Sequence, residues 1–324
     1  MTLISIYGTI YNNVQTVNKT LKTLINSLPD FEDKFEVVIV DNFSVDGTWE
    51  ILQKWKRRFK NIRLVRVKSS RGTGRNIALK HTQGDYVFHI DFDVYFKKEI
   101  KDLVEKFERI CSPKTIIIPY VFSSRETLLA IGGWRDLNFG EDWEILARAV
   151  ANKVKIKNVL MVPFNVNQIV KIREARYTKN KIGYGIRKIR NILDSYRGYN
   201  VYPKLFVNYF LRKYLKEFRP SSVLASIVYP IALINRFAYS KGFTNVEYVH
   251  ENEEYILPQD IGFSSDYFFL TYDNIDITWR VVKKRLKEIV QKAKKLNFLM
   301  LEKSRTLVGY RKYDIIREYV EYLR

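Results

Sequence analysis

Five carboxylates stand where acids can act together. Asp91 and Asp93 close the run Gly84-Asp85-Tyr86-Val87-Phe88-His89-Ile90-Asp91-Phe92-Asp93, which opens on a turn glycine and continues through mostly apolar residues. Alternation along an extended chain puts both acids on one side, roughly 7 Å apart. Carboxylate oxygens at the C-terminal lip of a buried strand suit a hard cation, Mn²⁺ or Mg²⁺, shared with phosphates. Asp41 ends a second apolar run, Phe35–Val40, where it can accept hydrogen bonds from a base or a ribose. Glu141 and Asp142 come about 50 residues after Asp91, behind Gly132-Gly133-Trp134 and at the start of a helix. Either can take a proton from an attacking hydroxyl. Arg75, in the first turn of its own helix, adds positive charge near the phosphates.

Each acid alone has a structural alternative. Asp91 and Asp93 can be solvated acids in a strand-to-helix turn, Asp41 can cap the turn after it, and Glu141 and Asp142 suit any helix N-terminus. Their joint occurrence in this order favours chemistry. A displacement at a sugar carbon needs a metal to neutralise the departing diphosphate and a carboxylate on the opposite face to activate the acceptor. Gly72-Thr73-Gly74 reads as a turn rather than a phosphate loop. The dinucleotide-binding reading fails because no Gly-x-Gly-x-x-Gly follows the first strand.

The elements that must carry these residues alternate. Residues 3–10 form a first buried strand. Asn13 caps a helix with Val14, Val17, Leu21, Leu24 and Leu28 at helical spacing. Phe35–Asp41 is a second strand, Asp46 the N-cap of the next helix, and Ile62–Val67 a third strand. A short helix passes through Ile77-Ala78-Leu79 before the strand that delivers Asp91 and Asp93. An amphipathic helix over 98–110, a strand over Thr115–Val121, a helical turn from Arg125 and a helix from Glu141 follow. Val154–Val162 is the last strand expected in the sheet. This is the pattern of a mostly parallel α/β sheet flanked by helices. Residues 1–165 are expected to form that domain, and 166–324 a basic, aromatic-rich, mainly helical region.

Composition narrows the classes. The 324 residues are 46% hydrophobic and 28% charged, which excludes a disordered chain. A lone cysteine, Cys111, excludes a disulfide framework and a cysteine metal site, and three histidines (His81, His89 and His250) argue against a histidine-rich site or a Ser/His triad. The chain enters its first strand directly from Met1, so a reducing, cytoplasmic setting is expected. Lys and Arg number 56 against 35 Asp and Glu, a net charge of +21. Residues 1–160 hold 26 basic and 19 acidic residues, and residues 161–324 hold 30 and 16. Such a balance favours an anionic partner: nucleic acid, an anionic membrane surface or a phosphorylated substrate. For the C-terminal charge the alternative is a solvated surface of a heat-adapted protein. The apolar run 223–234, broken by Pro230, is too short to cross a bilayer. It reads either as a kinked core helix or as a segment lying in the membrane interface.

The ordered motifs also carry a resemblance. Ile4-Ser5-Ile6-Tyr7-Gly8-Thr9-Ile10-Tyr11-Asn12, then Val38-Ile39-Val40-Asp41-Asn42-Phe43-Ser44-Val45-Asp46-Gly47-Thr48, resemble the opening of family 2 glycosyltransferases with the GT-A fold. Arg71-Gly72-Thr73-Gly74-Arg75-Asn76-Ile77-Ala78 resembles that family's Gly-rich segment, and Asp91-Phe92-Asp93 its Asp-x-Asp metal motif. Gly132-Gly133-Trp134 with Gly140-Glu141-Asp142-Trp143-Glu144 resembles its acceptor-side segment. The likeness covers about residues 2–165. It implies a cytosolic, inverting transfer, dependent on Mn²⁺ or Mg²⁺, from a UDP- or GDP-sugar to a glycan or lipid-linked acceptor. Thr9, Tyr11 and Asp41 would bind the nucleotide, Asp91 ribose and metal, Asp93 the metal. Asp142 would be the general base, with Glu141 its nearest competitor. Two departures stand out: Gly8 replaces the usual proline, which predicts a more flexible loop, and Asn42 replaces the second acid of an Asp-Asp pair. For the C-terminal half the expectation is peripheral contact with the inner face of the cell membrane. The competing reading is a nucleic-acid-binding protein that uses its basic and aromatic residues, although no recognition motif accompanies them.

Overall fold

Strands β1 (Ile4–Ile10) and β2 (Phe35–Asp41) are continuous apolar runs because both of their faces are covered. Ile6, Val37 and Ile39 point into one core cluster, and Tyr7, Val38 and Val40 into the other. Helices α1 (Val17–Asn26), α3 (Thr48–Arg58) and α5 (Ile100–Ile110) close the first side through Leu21, Leu24, Leu52, Leu103 and Phe107. Helices α4 (Arg71–His81), α6 (Arg125–Ala130) and α7 (Glu141–Ala151) close the second through Leu79, Leu128 and Ile145. A one-turn helix, α2 (Phe31–Lys34), leads into β2. The computed structural model describes residues 3–118, 120–159, 164–165, 181–198, 228–231, 234, 253–256 and 258–263.

The remaining strands are β3 (Ile62–Arg66), β4 (Tyr86–His89), β5 (Tyr95–Phe96), β6 (Thr115–Ile118), β7 (Phe122–Ser124), β8 (Lys155–Val159), β9 (Phe164–Asn165) and β10 (Glu253–Ile256). Eight of them form one sheet in the order β10-β8-β6-β7-β4-β1-β2-β3, and β5 pairs with β9 in a separate ribbon. Every pairing in the large sheet is parallel except those of β7, which runs antiparallel to both β4 and β6. The expected mostly parallel sheet flanked by helices is therefore what the chain builds. Helix α8 (Lys181–Gly198) falls between β9 and β10 in sequence.

Several local expectations need correction, the helix caps first: the N-caps of α1 and α3 are Thr16 and Gly47, not Asn13 and Asp46. β4 ends at His89, so Asp91 and Asp93 sit in a turn past the strand and not in alternation upon it. The stretch 115–121 is not one strand: β6 stops at Ile118, and β7 returns antiparallel from Phe122. Gly72 and Gly74 lie inside α4, whose N-cap Ser70 accepts from the Thr73 amide. A Cβ on Gly72 would collide with the Arg135 carbonyl, and one on Gly74 would lie 2.5 Å from Thr9 Oγ1. These glycines allow close packing of helix on strand and loop, which outweighs their poor helix propensity. Gly8, expected to loosen a loop, is a buried residue of β1 pressed against Ile90 and Phe92. Finally, β8 is not the last strand of the sheet, because β10 pairs alongside it in parallel register, Asn158 against Tyr255. Of the apolar run 223–234, Val228 and Tyr229 are buried while Pro230, Ile231 and Ile234 are exposed; the rest lies outside the described residues. Among the described residues no helix is long and apolar enough to cross a membrane.

Candidate active site

The C-terminal ends of β1, β2 and β4 open onto a cavity of about 420 Å³. Its lining comes from Thr9, Ile10, Tyr11, Asn13 and Asn42 after β1 and β2, from Arg71 and Arg75 of α4, from Asp91, Phe92 and Asp93 after β4, from Asn138 and Asp142, and from Arg187, Arg190 and Asn191 of α8. The segments are tied to one another. Asn13 Nδ2 donates to the Phe92 carbonyl at 3.2 Å, which fixes the Asp91–Asp93 turn against the loop after β1. Thr9 Oγ1 donates to the Val40 carbonyl at 3.0 Å. Asn42 Oδ1 accepts from the Ser69 amide at 2.8 Å, which joins the end of β2 to the approach to α4.

Arg75 is the centre. Its side chain is 4% exposed, and its guanidinium lies 2.5 Å from Asp142, 3.0 Å from Glu141 and 3.2 Å from Asp91. Burial alone would favour the neutral form, but Asp142, Glu141 and Asp91 outweigh it and hold the arginine more firmly protonated than usual. Trp134 stacks beneath it, 4.8 Å from ring centroid to guanidinium carbon. The indole is fixed in turn: Nε1 donates to Tyr7 Oη at 2.9 Å, and the Trp134 amide donates to Asn76 Oδ1 at 3.2 Å. The preceding Gly132 and Gly133 have φ of +87° and +63°, and a Cβ on Gly133 would strike Asn76. Arg148 donates to the carbonyls of Ile131 and Gly133 and pairs with buried Glu144 at 2.7 Å, which clamps this loop onto α7.

Adjacent residues of α7 have different environments. Glu141 is 1% exposed and consumed by Arg75 and by Arg71 at 3.3 Å, and it does not line the cavity. Asp142, about 100° further round the helix, does line it and is 56% exposed to it. The carboxylate touches cavity solvent, yet protein crowds it on the remaining sides. That loss of bulk water raises its pKa to about 6; Glu141 and Asp91 push the same way, against Arg75. His89, packed between Tyr7 and Trp134, is held neutral by burial and by Arg75.

Of the residues singled out in the sequence, Thr9, Tyr11, Arg75, Asp91, Asp93 and Asp142 meet at the cavity. Asp41 does not reach it. It is fully buried, accepts from the Ser44 amide at 3.1 Å and pairs with Arg66 at 3.2 Å, so it shapes the turn that presents Asn42. Arg71, Asn13, Asn138 and the three residues of α8 line the cavity as well. Asp91 and Asp93 supply hard oxygen donors to one space, and no group of three metal-binding side chains occurs among the described residues. A divalent ion that takes one or two carboxylates and completes its shell with phosphate oxygens and water fits that donor set.

Residues 5–132 match the family model described as glycosyl transferase family 2. A poly(ribitol-phosphate) beta-glucosyltransferase of Bacillus spizizenii is 33% identical over 99 residues, 30% of this chain and 16% of that protein. The UDP-Glc:alpha-D-GlcNAc-diphosphoundecaprenol beta-1,3-glucosyltransferase WfaP of Escherichia coli is 32% identical over 100 residues, 30% of this chain and 37% of that protein. The chain thus matches well under half the length of either relative. Among solved structures, mannosyltransferase PcManGT from Pyrobaculum calidifontis, in complex with GDP-Man and Mn²⁺, superposes with a TM-score of 0.45 at 19% identity, covering 74% of this chain and 76% of that one. The matched residues 5–132 carry both of the nucleotide-side strands and the Asp91–Asp93 turn, and through them this part of the chain is similar to glycosyl transferase family 2.

Proposed function

We propose that this protein transfers a sugar from a nucleoside-diphosphate donor to a hydroxyl of a glycan or lipid-linked acceptor, with inversion at the sugar carbon. The observation that carries the reading is the convergence of Asp91, Asp93 and Asp142 on one cavity around buried Arg75. Thr9, Tyr11 and Asn42 receive the nucleoside, and Asp41 supports them from beneath. Asp91 and Asp93 would hold Mn²⁺ or Mg²⁺, which when bound neutralises charge on the diphosphate. Arg75 and Arg71 add fixed positive charge on the same side.

Asp142 takes the proton of the acceptor hydroxyl as its oxygen bonds to the anomeric carbon. The bond from that carbon to the diphosphate oxygen breaks, and its electron pair leaves with the nucleotide. A carboxylate raised to about 6 is well matched to this work, being ionised at neutral pH yet basic enough to accept a proton. Glu141 serves as a positioning residue that keeps Arg75 and Arg71 in place. The names of the relatives, which speak of a polymer and of a lipid-linked saccharide, support an acceptor of that kind. The reading also places residues 1–165 as donor domain and 166–324 as the acceptor-facing part, working in the cytoplasm at an anionic membrane surface.

The test is a thermal-shift panel of UDP, GDP, CDP and dTDP, each with and without Mn²⁺. A ligand that binds only the folded state at 100 times its Kd adds about 2.7 kcal/mol of apparent stability. A metal-dependent shift with one nucleotide is expected. No shift with any of them overturns the donor site, and metal-independent, salt-sensitive retention on DNA would then argue for the nucleic-acid alternative.

A further inference from the structure

The net positive charge of residues 1–160 comes from one short stretch. Of their 26 basic and 19 acidic residues, eight basic and no acidic ones fall within 54–68, which leaves 18 against 19 for the rest. No acid occurs between Glu50 and Asp85. The fold gathers this stretch at one end of the sheet, where β3 is the outermost strand and α3 packs against it. Lys54, Lys56, Arg57, Arg58 and Lys60 stand on α3 or just after it, and Arg63, Arg66 and Lys68 on β3 or just behind it. All eight are exposed. Leu52, with Ile51 and Trp55 beside it, turns the apolar side of α3 to the core, so from Lys54 onward the solvent side is basic.

Architecture accounts for only part of this charge. Arg63 and Arg66 pair with Glu36 and Asp41, and Arg58 lies over the stacked rings of Trp55 and Phe59. Lys54, Lys56, Arg57, Lys60 and Lys68 make no ion pair among the described residues. The helix dipole favours cations in the last turn of α3, and cations blunt an edge strand such as β3. Neither effect covers Lys54, which stands before that turn, or Lys68, past the end of β3. Lys54 and Arg58 moreover repel each other at i, i+4. An anion relieves that repulsion, and it must be an extended one, because the cations spread over a helix and a strand. Base stacking is not on offer: the Trp55 and Phe59 rings stack on each other, and Trp55 Nε1 donates to Asn18 Oδ1 at 3.0 Å. Resting on the reading above that the acceptor is lipid-linked, we infer that the α3–β3 face is the surface by which the protein adsorbs to an anionic lipid bilayer. The contact is electrostatic and not an insertion, since the apolar side of α3 is committed to the core. It lies in the first half of the chain, whereas net charge alone points to the second.

The experiment sediments the full chain, without nucleotide, with vesicles of phosphatidylcholine alone or with about one-third phosphatidylglycerol. K54Q/K56Q/R57Q/K60Q is compared with wild type and with K98Q/K114Q/K153Q/K155Q, which removes the same charge from exposed positions elsewhere in residues 1–160. Wild type and the second variant are expected to bind anionic vesicles alike, to release them as salt is raised, and to ignore neutral ones. K54Q/K56Q/R57Q/K60Q should bind anionic vesicles at least about tenfold more weakly, with its melting temperature unchanged. Equal loss in the second variant would mean diffuse attraction and overturn the inference. So would undiminished binding by the first, equal binding of neutral vesicles, or no binding of either kind by wild type. Tighter retention on duplex DNA than on anionic vesicles, lost in the first variant, would give the surface to nucleic acid and overturn it as well. No nucleotide is present, so a nucleotide panel without any shift counts against the donor site and leaves the vesicle result standing.

Discussion

The two ends of the central strands treat buried charge in opposite ways. At the N-terminal end, Glu36 of β2 is sealed: its carboxylate accepts from Ser5 Oγ at 2.5 Å and from the amides of Gln83 and Gly84, with Arg63 3.6 Å away. At the C-terminal end, Arg75 faces three carboxylates, two of which open to a cavity, and its Nε has no hydrogen-bond partner among the described residues. The first arrangement satisfies an acid with rigid backbone donors and ties β1, β2 and β4 together. The second leaves a surplus of acid around one cation, a state that an incoming cation or proton can relieve. A buried charge with all its partners reads as architecture, and one with competing partners reads as a site.

The sharpest way to break this comparison is Asp142→Asn. Turnover is expected to fall by roughly 10²–10⁴ with nucleotide binding retained, measured by sugar transfer alongside calorimetry. Unchanged turnover would remove Asp142 from the chemistry. Asp93→Ala should weaken metal-dependent nucleotide binding by about 10–100-fold, the scale of one lost charge-assisted contact, while metal-free binding stays as it was. In the wild type, transfer should rise with pH through about 6 and drop about tenfold per unit below it.

At the sealed end, Glu36→Gln should cost about 1–3 kcal/mol in chemical denaturation, yet the folded enzyme should turn over normally. A large loss of activity there would erase the distinction between the two ends. The smallest effect is a stability change at the open end. Asp142 has a folded pKa above its ordinary value, so its contribution is fully present below about 3.8 and lost as pH rises through about 6. Asp142→Asn should therefore melt slightly higher than wild type at pH 7.5, and the gap should close as pH falls below 6.

Much of this was legible in the chain and some was not, for physical reasons. β1 and β2 announce themselves because strands covered on both faces must be apolar throughout, and the acids after them stand out against that background. β10 carries Glu253-Glu254-Tyr255-Ile256, too short and too charged to read as a strand; its place is set by pairing with β8. Gly72 and Gly74 suggest a turn by propensity, but the space they vacate is needed by Arg135 and Thr9. That Asp142 and not Glu141 reaches the cavity depends on the rotation of α7 about its axis, which the sequence does not display. Arg187 and Arg190 were lost in a uniformly basic stretch. Tertiary contacts bring their helix to the cavity, among them Asp194 with the Asn138 amide, which joins positions 56 residues apart.

The pairing of β10 with β8 has a consequence for how the chain is made. The strands from β3 across to β7 lie within the first 124 residues and can assemble as these emerge, whereas Ile156 waits for Glu253. Until then β8 offers an unpaired row of amides and carbonyls to any other strand nearby. Synthesis halted at residue 165 would leave that row open permanently, so a fragment cut there should self-associate through β8 while its donor-side wall is already in place.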